Sequence, residues 1–130
     1  MVAVAPGGGA VKRRPLVYVA GPYTNPDPVL NTRRAIQIGD VLWRKGAVPL
    51  IPHLSIVWHL VCPRPLEDWY EIDLHLLDRC DALLRLWGDS TGANAEVNYA
   101  HEAGVPVFLE PGIGGGVPSV LVGWIELWRP

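Results

Sequence analysis

Apolar runs rich in β-branched and aromatic residues alternate along this chain with segments of helical period. "PLVYVAGPY" (15–23) predicts a buried first strand stopped by Gly-Pro. "NTRRAIQIGDVLWRKG" (31–46) predicts a helix, with Asn31 as N-cap, Gly46 as stop and Ala35, Ile38, Val41 and Leu42 on one face. "AVPLIPHL" (47–54) reads as a second strand, which Pro49 and Pro52 confine to the sheet edge or end early. "SIVWHLV" suits a short helix, "LEDWYEIDLHLLDRC" (66–80) an amphipathic one and "DALLRLW" (81–87) a third strand. "GDSTGANAEVNYAHEAG" (88–104) opens with turn formers and continues as an alanine-rich helix, and "VPVFLE" (105–110) supplies a fourth strand. "VPSVLVGWIELW" is uniformly apolar, so its period does not decide between helix and strand. Strands alternating with helices over short spans predict parallel βαβ units in a layered α/β sheet of about five strands.

Composition narrows this picture. A chain of 130 residues, 49% hydrophobic and 18% charged, has room for one domain with a real core. A net charge of −2 with no basic stripe argues against a nucleic-acid polymer or an anionic membrane as partner. The longest apolar stretch, "AVPLIPHLSIVWHLV", is interrupted by prolines and histidines and is unsuited to spanning a bilayer. Residues 1–14, with their Gly-Gly-Gly, read as a flexible tail rather than a signal peptide, and 15–130 as the folded domain. Cys62 and Cys80 lack CxxC spacing and suit two packed thiols in a reducing cytoplasm.

Two acids change the picture further. The apolar stripe of the 66–80 helix runs through Leu66, Trp69, Tyr70, Leu76, Leu77 and Cys80, and Asp73 fills its middle. A carboxylate there costs several kcal/mol unless it is hydrogen-bonded or lines a cavity. It is either a satisfied buried cap or an acid whose pKa its apolar neighbours tune. Glu96, early in the 88–104 helix, either complements the helix dipole or does chemistry. Together, two acids flanking one strand are the minimal equipment for glycosidic chemistry, one carboxylate at the anomeric carbon and one proton handler. Ser90, Thr91 and Gly92 could cradle a phosphate or merely cap the helix. No Walker loop, dinucleotide fingerprint or nucleophile elbow occurs, and the four histidines have no paired metal spacing. Tyr23, Trp58, Trp69 and Trp87 could stack on a base or pack in the core.

"VYVAGPY", "EIDLHLLDRCDALLRL" and "DSTGANAEVNYAHEAGVPVF", in this order over roughly residues 15–110, resemble the nucleoside 2-deoxyribosyltransferase superfamily. That group includes nucleoside deoxyribosyltransferases and nucleoside 5'-monophosphate N-hydrolases. The resemblance implies a single-domain, Rossmann-like (flavodoxin-like) α/β fold. It casts Glu96 as the glutamate that attacks C1' of the sugar, Asp73 as the aspartate that handles the nucleobase proton and Tyr18 as the tyrosine beside the catalytic carboxylate. It makes Gly21, Pro22 and Tyr23 the substrate-contacting loop and puts Ser90, with Gly92, where the hydrolases bind the 5'-phosphate and the transferases typically carry an Asp. His53 joins the substrate-binding set without an assigned role. The loop "GPYTNPDP" lacks the arginine usual in the hydrolases, and Arg33 and Arg34 are the nearest substitutes. The implied activity is hydrolysis of the N-glycosidic bond of a (2'-deoxy)nucleoside 5'-monophosphate, by a cytoplasmic homodimer or larger homo-oligomer needing no metal or other cofactor. The alternatives are base exchange by a deoxyribosyltransferase, or a non-catalytic nucleotide sensor on the same fold.

Overall fold

The computed structural model describes residues 11–130. Its elements are β1 (Leu16–Ala20), α1 (Pro28–Arg44), β2 (Val48–Leu50), a 3-10 turn (Pro52–Leu54), α2 (Ser55–Val61), α3 (Leu66–Leu77), β3 (Ala82–Arg85), α4 (Thr91–Ala103), β4 (Val107–Leu109) and α5 (Ser119–Leu127). The strands form a parallel sheet in the order β2-β1-β3-β4. Four strands are present among the described residues, not about five, because the untyped apolar segment near the C-terminus is helical. Of the tail expected over 1–14, residues 1–10 lie outside the described residues; Val11–Arg14 are exposed and carry no regular structure.

Alternation along the strands divides the core into two layers. Val17, Val19, Ala82 and Leu84 pack against Ala35, Ile38 and Leu42 of α1 and Leu121 and Ile125 of α5. Tyr18, Ala20 and Leu83 face the other way, onto Leu77 and Cys80 at the end of α3 and Ala93 and Ala100 of α4. The chain leaves β1 toward β2 on one side and later adds β3 on the other. The carboxyl ends of β1 and β3 therefore flank the sheet's topological switch point, where such folds bind ligands. As Pro49 implies, β2 is an edge strand.

Three local expectations are corrected. Helix α1 starts at Pro28, not after Asn31: the Asp27 side chain accepts from the Val29 and Leu30 amides, and proline at the first helical position is pre-set for the turn. The Asn31 side chain instead donates to the carbonyls of Tyr23 and Asn25, 2.9 Å each, and pins the loop after β1. The stripe read along α3 is only partly buried: Leu77 and Cys80 are buried and Trp69 and Asp73 half-buried, but Leu66 is 77% exposed, and Tyr70 and Leu76 are also exposed. Ile72 and Leu74, off that stripe, are half-buried on either side of Asp73. Finally, Cys80 is buried but Cys62 is exposed, so only one thiol is packed.

Candidate active site

The side of the sheet that faces α3 and α4 carries Tyr18 on β1 and, paired across to β3, Leu83 and Arg85. Tyr18 is fully buried, and its hydroxyl donates to Oε2 of Glu96 on α4. Glu96 is itself only 8% exposed. It occupies the sixth helical position, beyond the first turn, where the helix dipole offers little. Burial pushes its carboxyl up to about 7; the Tyr18 hydrogen bond opposes that rise, the negative charge of Asp73 adds to it and Arg85 counters it. Burial, then the charges of Glu96 and Asp73, raise the Tyr18 phenol far above its ordinary value, so it stays a hydrogen-bond donor.

Asp73 is half-buried on α3, and desolvation raises its carboxyl to about 7. Its charge is felt by both Tyr18 and Glu96, so the fold gathers three sequence-predicted residues, 18, 73 and 96, around one point.

The loops that follow β1 and β3 meet one another. A Cβ on Gly21 would sit 3.0 Å from Cβ of Leu86, so the loops after β1 and β3 run in contact. Gly88, at φ +124°, is in a conformation that favours glycine, and its Cα lies against the Pro22 ring, where a Cβ would come within 2.8 Å. His53, on the 3-10 turn, is buried behind the first loop and donates from Nε2 to the Pro22 carbonyl at 2.9 Å. Burial holds its pKa below the ordinary value. The Tyr23 ring stands 6.1 Å from His53. Trp58 and Trp69 pack edge to face on each other at 4.9 Å, and Trp87 is exposed beyond the end of β3.

Ser90 caps α4, its hydroxyl oxygen accepting from the Ala93 amide at 3.0 Å. The space above Gly92 is open, with nothing within 4 Å of where a Cβ would stand. Sequence reasoning missed Arg85, the last residue of β3. Its guanidinium donates to the carbonyls of Leu86 (2.5 Å) and Gly88 (2.9 Å) and to Oδ1 of Asn94 (2.9 Å). The signal was present: an arginine two residues after Leu83 in an apolar strand shares Leu83's inward face. The basic residues read as substitutes for a loop arginine fare differently, since Arg34 pairs with buried Glu110 and Arg33 is exposed.

Among the described residues no three His, Cys, Asp or Glu side chains gather as a metal site requires, and no helix is long and apolar enough to cross a membrane. What the geometry offers is a desolvated carboxylate fixed by one phenol, a second carboxyl beside it, and a capped helix start with free space above it.

Residues 15–109 match the family model described as Domain of unknown function (DUF4406). No curated protein matches the chain by sequence. Among solved structures, a 2-deoxyribosyltransferase from the psychrotolerant bacterium Bacillus psychrosaccharolyticus is similar at 17% identity and a TM-score of 0.59, over 88% of this chain and 92% of that one. A 2-desoxiribosyltransferase from Leishmania mexicana is similar at 20% identity and a TM-score of 0.56, over 73% of this chain and 63% of that one, so the match spans under two thirds of that protein. At these identities the likeness establishes a shared fold.

Proposed function

The chain belongs to the DUF4406 family, on a fold it shares with 2-deoxyribosyltransferases, and we propose that it is an enzyme cleaving the N-glycosidic bond of a (2'-deoxy)nucleoside 5'-monophosphate. The observation that carries this reading is Glu96, buried, hydrogen-bonded to Tyr18 and accompanied by Asp73. Glu96 attacks C1', or stabilises the cation that forms there, as the bond to the base breaks. Asp73 delivers a proton to the departing base nitrogen. Water then attacks C1' and gives up a proton to Asp73, which releases the sugar phosphate, returns Glu96 to the carboxylate and restores Asp73 as the acid. The reaction is redox-neutral, so it calls for no redox cofactor.

The phosphate falls to Ser90 and Gly92. Ser90 uses its oxygen as an acceptor for the cap, which leaves its hydroxyl proton to donate to a phosphate oxygen. The amides at the start of α4 and the helix dipole add to this. A cytoplasmic homo-oligomer fits the reading: Val57, Leu60, Val61 and Leu66 are each over 60% exposed around α2, an apolar area that association would cover.

A second reading, base exchange, is favoured by a specific observation. Arg34 is engaged by Glu110, so no basic residue is available in or just after the loop that follows β1 except exposed Arg33. The deciding measurement is kcat/KM for a deoxynucleoside and its 5'-monophosphate, with and without an acceptor base. The wild type prefers the monophosphate. Ser90→Asp lowers its kcat/KM ~10²-fold, because an aspartate repels a dianion in a drying site, and spares the nucleoside. Asp is as good an N-cap as Ser, so the helix start survives the change. Equal wild-type values, or preference for the nucleoside with exchange, promote the transferase; binding without turnover promotes the sensor.

A further inference from the structure

Arginine at the end of a buried strand needs a reason. Arg85 is half-buried, flanked in the sheet by Ala20 of β1 and Leu109 of β4, and burial works against its charged form. Its only polar contacts among the described residues are with neutral acceptors: the carbonyls of Leu86 and Gly88 and the side chain of Asn94. No carboxylate lies within ion-pair distance of it, in contrast to Arg34 on α1. The three acceptors sit on three pieces of the site: the end of β3, the turn at Gly88 and the first turn of α4. A planar fork of five donors bridges such a set, which a flexible ammonium cannot do. Its unneutralised charge then acts on the anions near it, Glu96 and Asp89.

We propose that Arg85 is the positioning residue of this site: its guanidinium ties loop 86–90 to the start of α4 at Asn94, two residues before Glu96, and brings a positive charge to that carboxyl's side of the sheet. This rests on the reading of Glu96 as the reacting group. Glu96 is faced by Tyr18 from β1, by Asp73 from α3 and by Arg85 from β3, while Asp89 in the loop acts on Arg85. Of these, only Arg85 is positive. Without it, burial and Asp73 would go opposed by the Tyr18 hydroxyl alone, and the carboxylate would take up a proton at higher pH. A nucleophile that is protonated is lost, so the acidic limb of the rate profile would move upward.

Clamp and charge separate by substitution. Arg85→Gln removes both; Arg85→Lys keeps the charge and loses the fork; Asn94→Ala removes one clamp partner and keeps the charge. The Glu96 carboxyl is titrated by NMR in protein labelled with 13C at glutamate, and hydrogen exchange is followed at the amides of residues 86–90; neither needs a substrate. The Glu96 midpoint rises by ~1 pH unit in Arg85→Gln, returns toward wild type in Arg85→Lys and does not move in Asn94→Ala. The loop amides exchange faster in all three. The acidic limb of kcat follows the Glu96 midpoint, and KM rises where the loop loosens. An unchanged Glu96 midpoint in folded Arg85→Gln overturns the counter-charge, and unchanged exchange in Arg85→Lys and Asn94→Ala overturns the clamp. Should Arg85→Gln not fold, a Glu96 midpoint in Arg85→Lys displaced as far as ~1 unit overturns the charge role. If titration and exchange respond while no glycosidic turnover exists, the tie to α4 and the effect of Arg85 on Glu96 stand and the proposed reaction falls.

Discussion

Two glutamates are buried in this molecule, and the fold treats them in opposite ways. Glu110, just past β4, is 4% exposed and accepts from the amides of Trp87 and Gly116, 2.8 Å each, while Arg34 of α1 pairs with it. Each of its oxygens has a donor, and its charge meets a cation in direct contact. Glu96 is 8% exposed and, among the described residues, has one hydrogen-bond partner, the Tyr18 hydroxyl. Its nearest cation acts from beyond ion-pair distance, and a second carboxyl adds to the repulsion. A buried carboxylate left so poorly compensated costs stability, and proteins keep such groups where function needs them. The Glu110 corner braces β3, α1 and the glycine-rich loop; the Glu96 corner holds a charge against its solvation preference.

The sharpest way to break this contrast is Glu96→Gln. It should lower kcat by ~10³-fold or more, because the amide cannot serve as a carboxylate nucleophile, and leave binding within about tenfold. It should also stabilise the protein. The Glu96 carboxyl titrates at about 7 in the fold against 4.5 for the free side chain. The native state thus holds the extra proton between those values, so stability falls as pH rises through this window. Above pH 7 the whole penalty is present, and Gln removes it. A gain of ~2 kcal/mol at pH 8, fading toward pH 4.5, is expected from melting curves of the two proteins. His53, with its lowered pKa, acts the other way and loses stability as pH falls through the acid range, but it is common to both proteins and cancels in the difference. A folded, fully active Glu96→Gln would erase the distinction.

Asp73→Asn comes next. As the proposed acid, with its carboxyl raised to about 7, Asp73 should deliver its proton only below that pH and so set the alkaline limb of the rate profile. Asparagine should lower kcat ~10²-fold for poor leaving-group bases, flatten that limb and leave good leaving groups nearly untouched. A lower melting temperature with unchanged kcat would move Asp73 to the structural side of the comparison.

Glu110→Gln should give the smallest effect, and the mirror image of Glu96→Gln. Arg34 loses its partner but is a third exposed and can hydrate, so the cost is ~1–2 kcal/mol, a melting temperature lower by roughly 4–8 °C. Its kcat should stay within about threefold when measured on folded protein. A loss of kcat matching that of Glu96→Gln, with the melting temperature intact, would show that the two corners do not divide the labour as described.

Local pattern alone determined much of this protein. Short apolar runs bounded by turn formers marked all four strands, Pro49 put β2 at an edge, and strand–helix alternation implied a parallel sheet. Asp73 and Glu96 were nameable because an acid on an apolar stripe, or inside an alanine-rich helix, is a local anomaly, while Tyr18 was singled out only by the family resemblance. Other features were decided only by tertiary structure. The start of α1 turned on two caps competing within five residues, and the choice of Asp27 left Asn31 to hold the loop after β1. The terminal apolar segment became α5 because it packs on the sheet, a choice its uniform hydrophobicity could not express. How much of its stripe α3 buries was also settled there: Asp73, Leu77 and Cys80 face inward, while Leu66, Tyr70 and Leu76 stay exposed. The pairing of Glu110 with Arg34, 76 residues away, and the burial of Glu96 beside Tyr18, 78 residues away, have no trace in any window of the chain. Hydrophobic period is a property of neighbours in sequence, but whether a buried charge is compensated depends on which distant elements the fold brings against it, and that balance separates the paired glutamate, Glu110, from the poorly compensated one, Glu96.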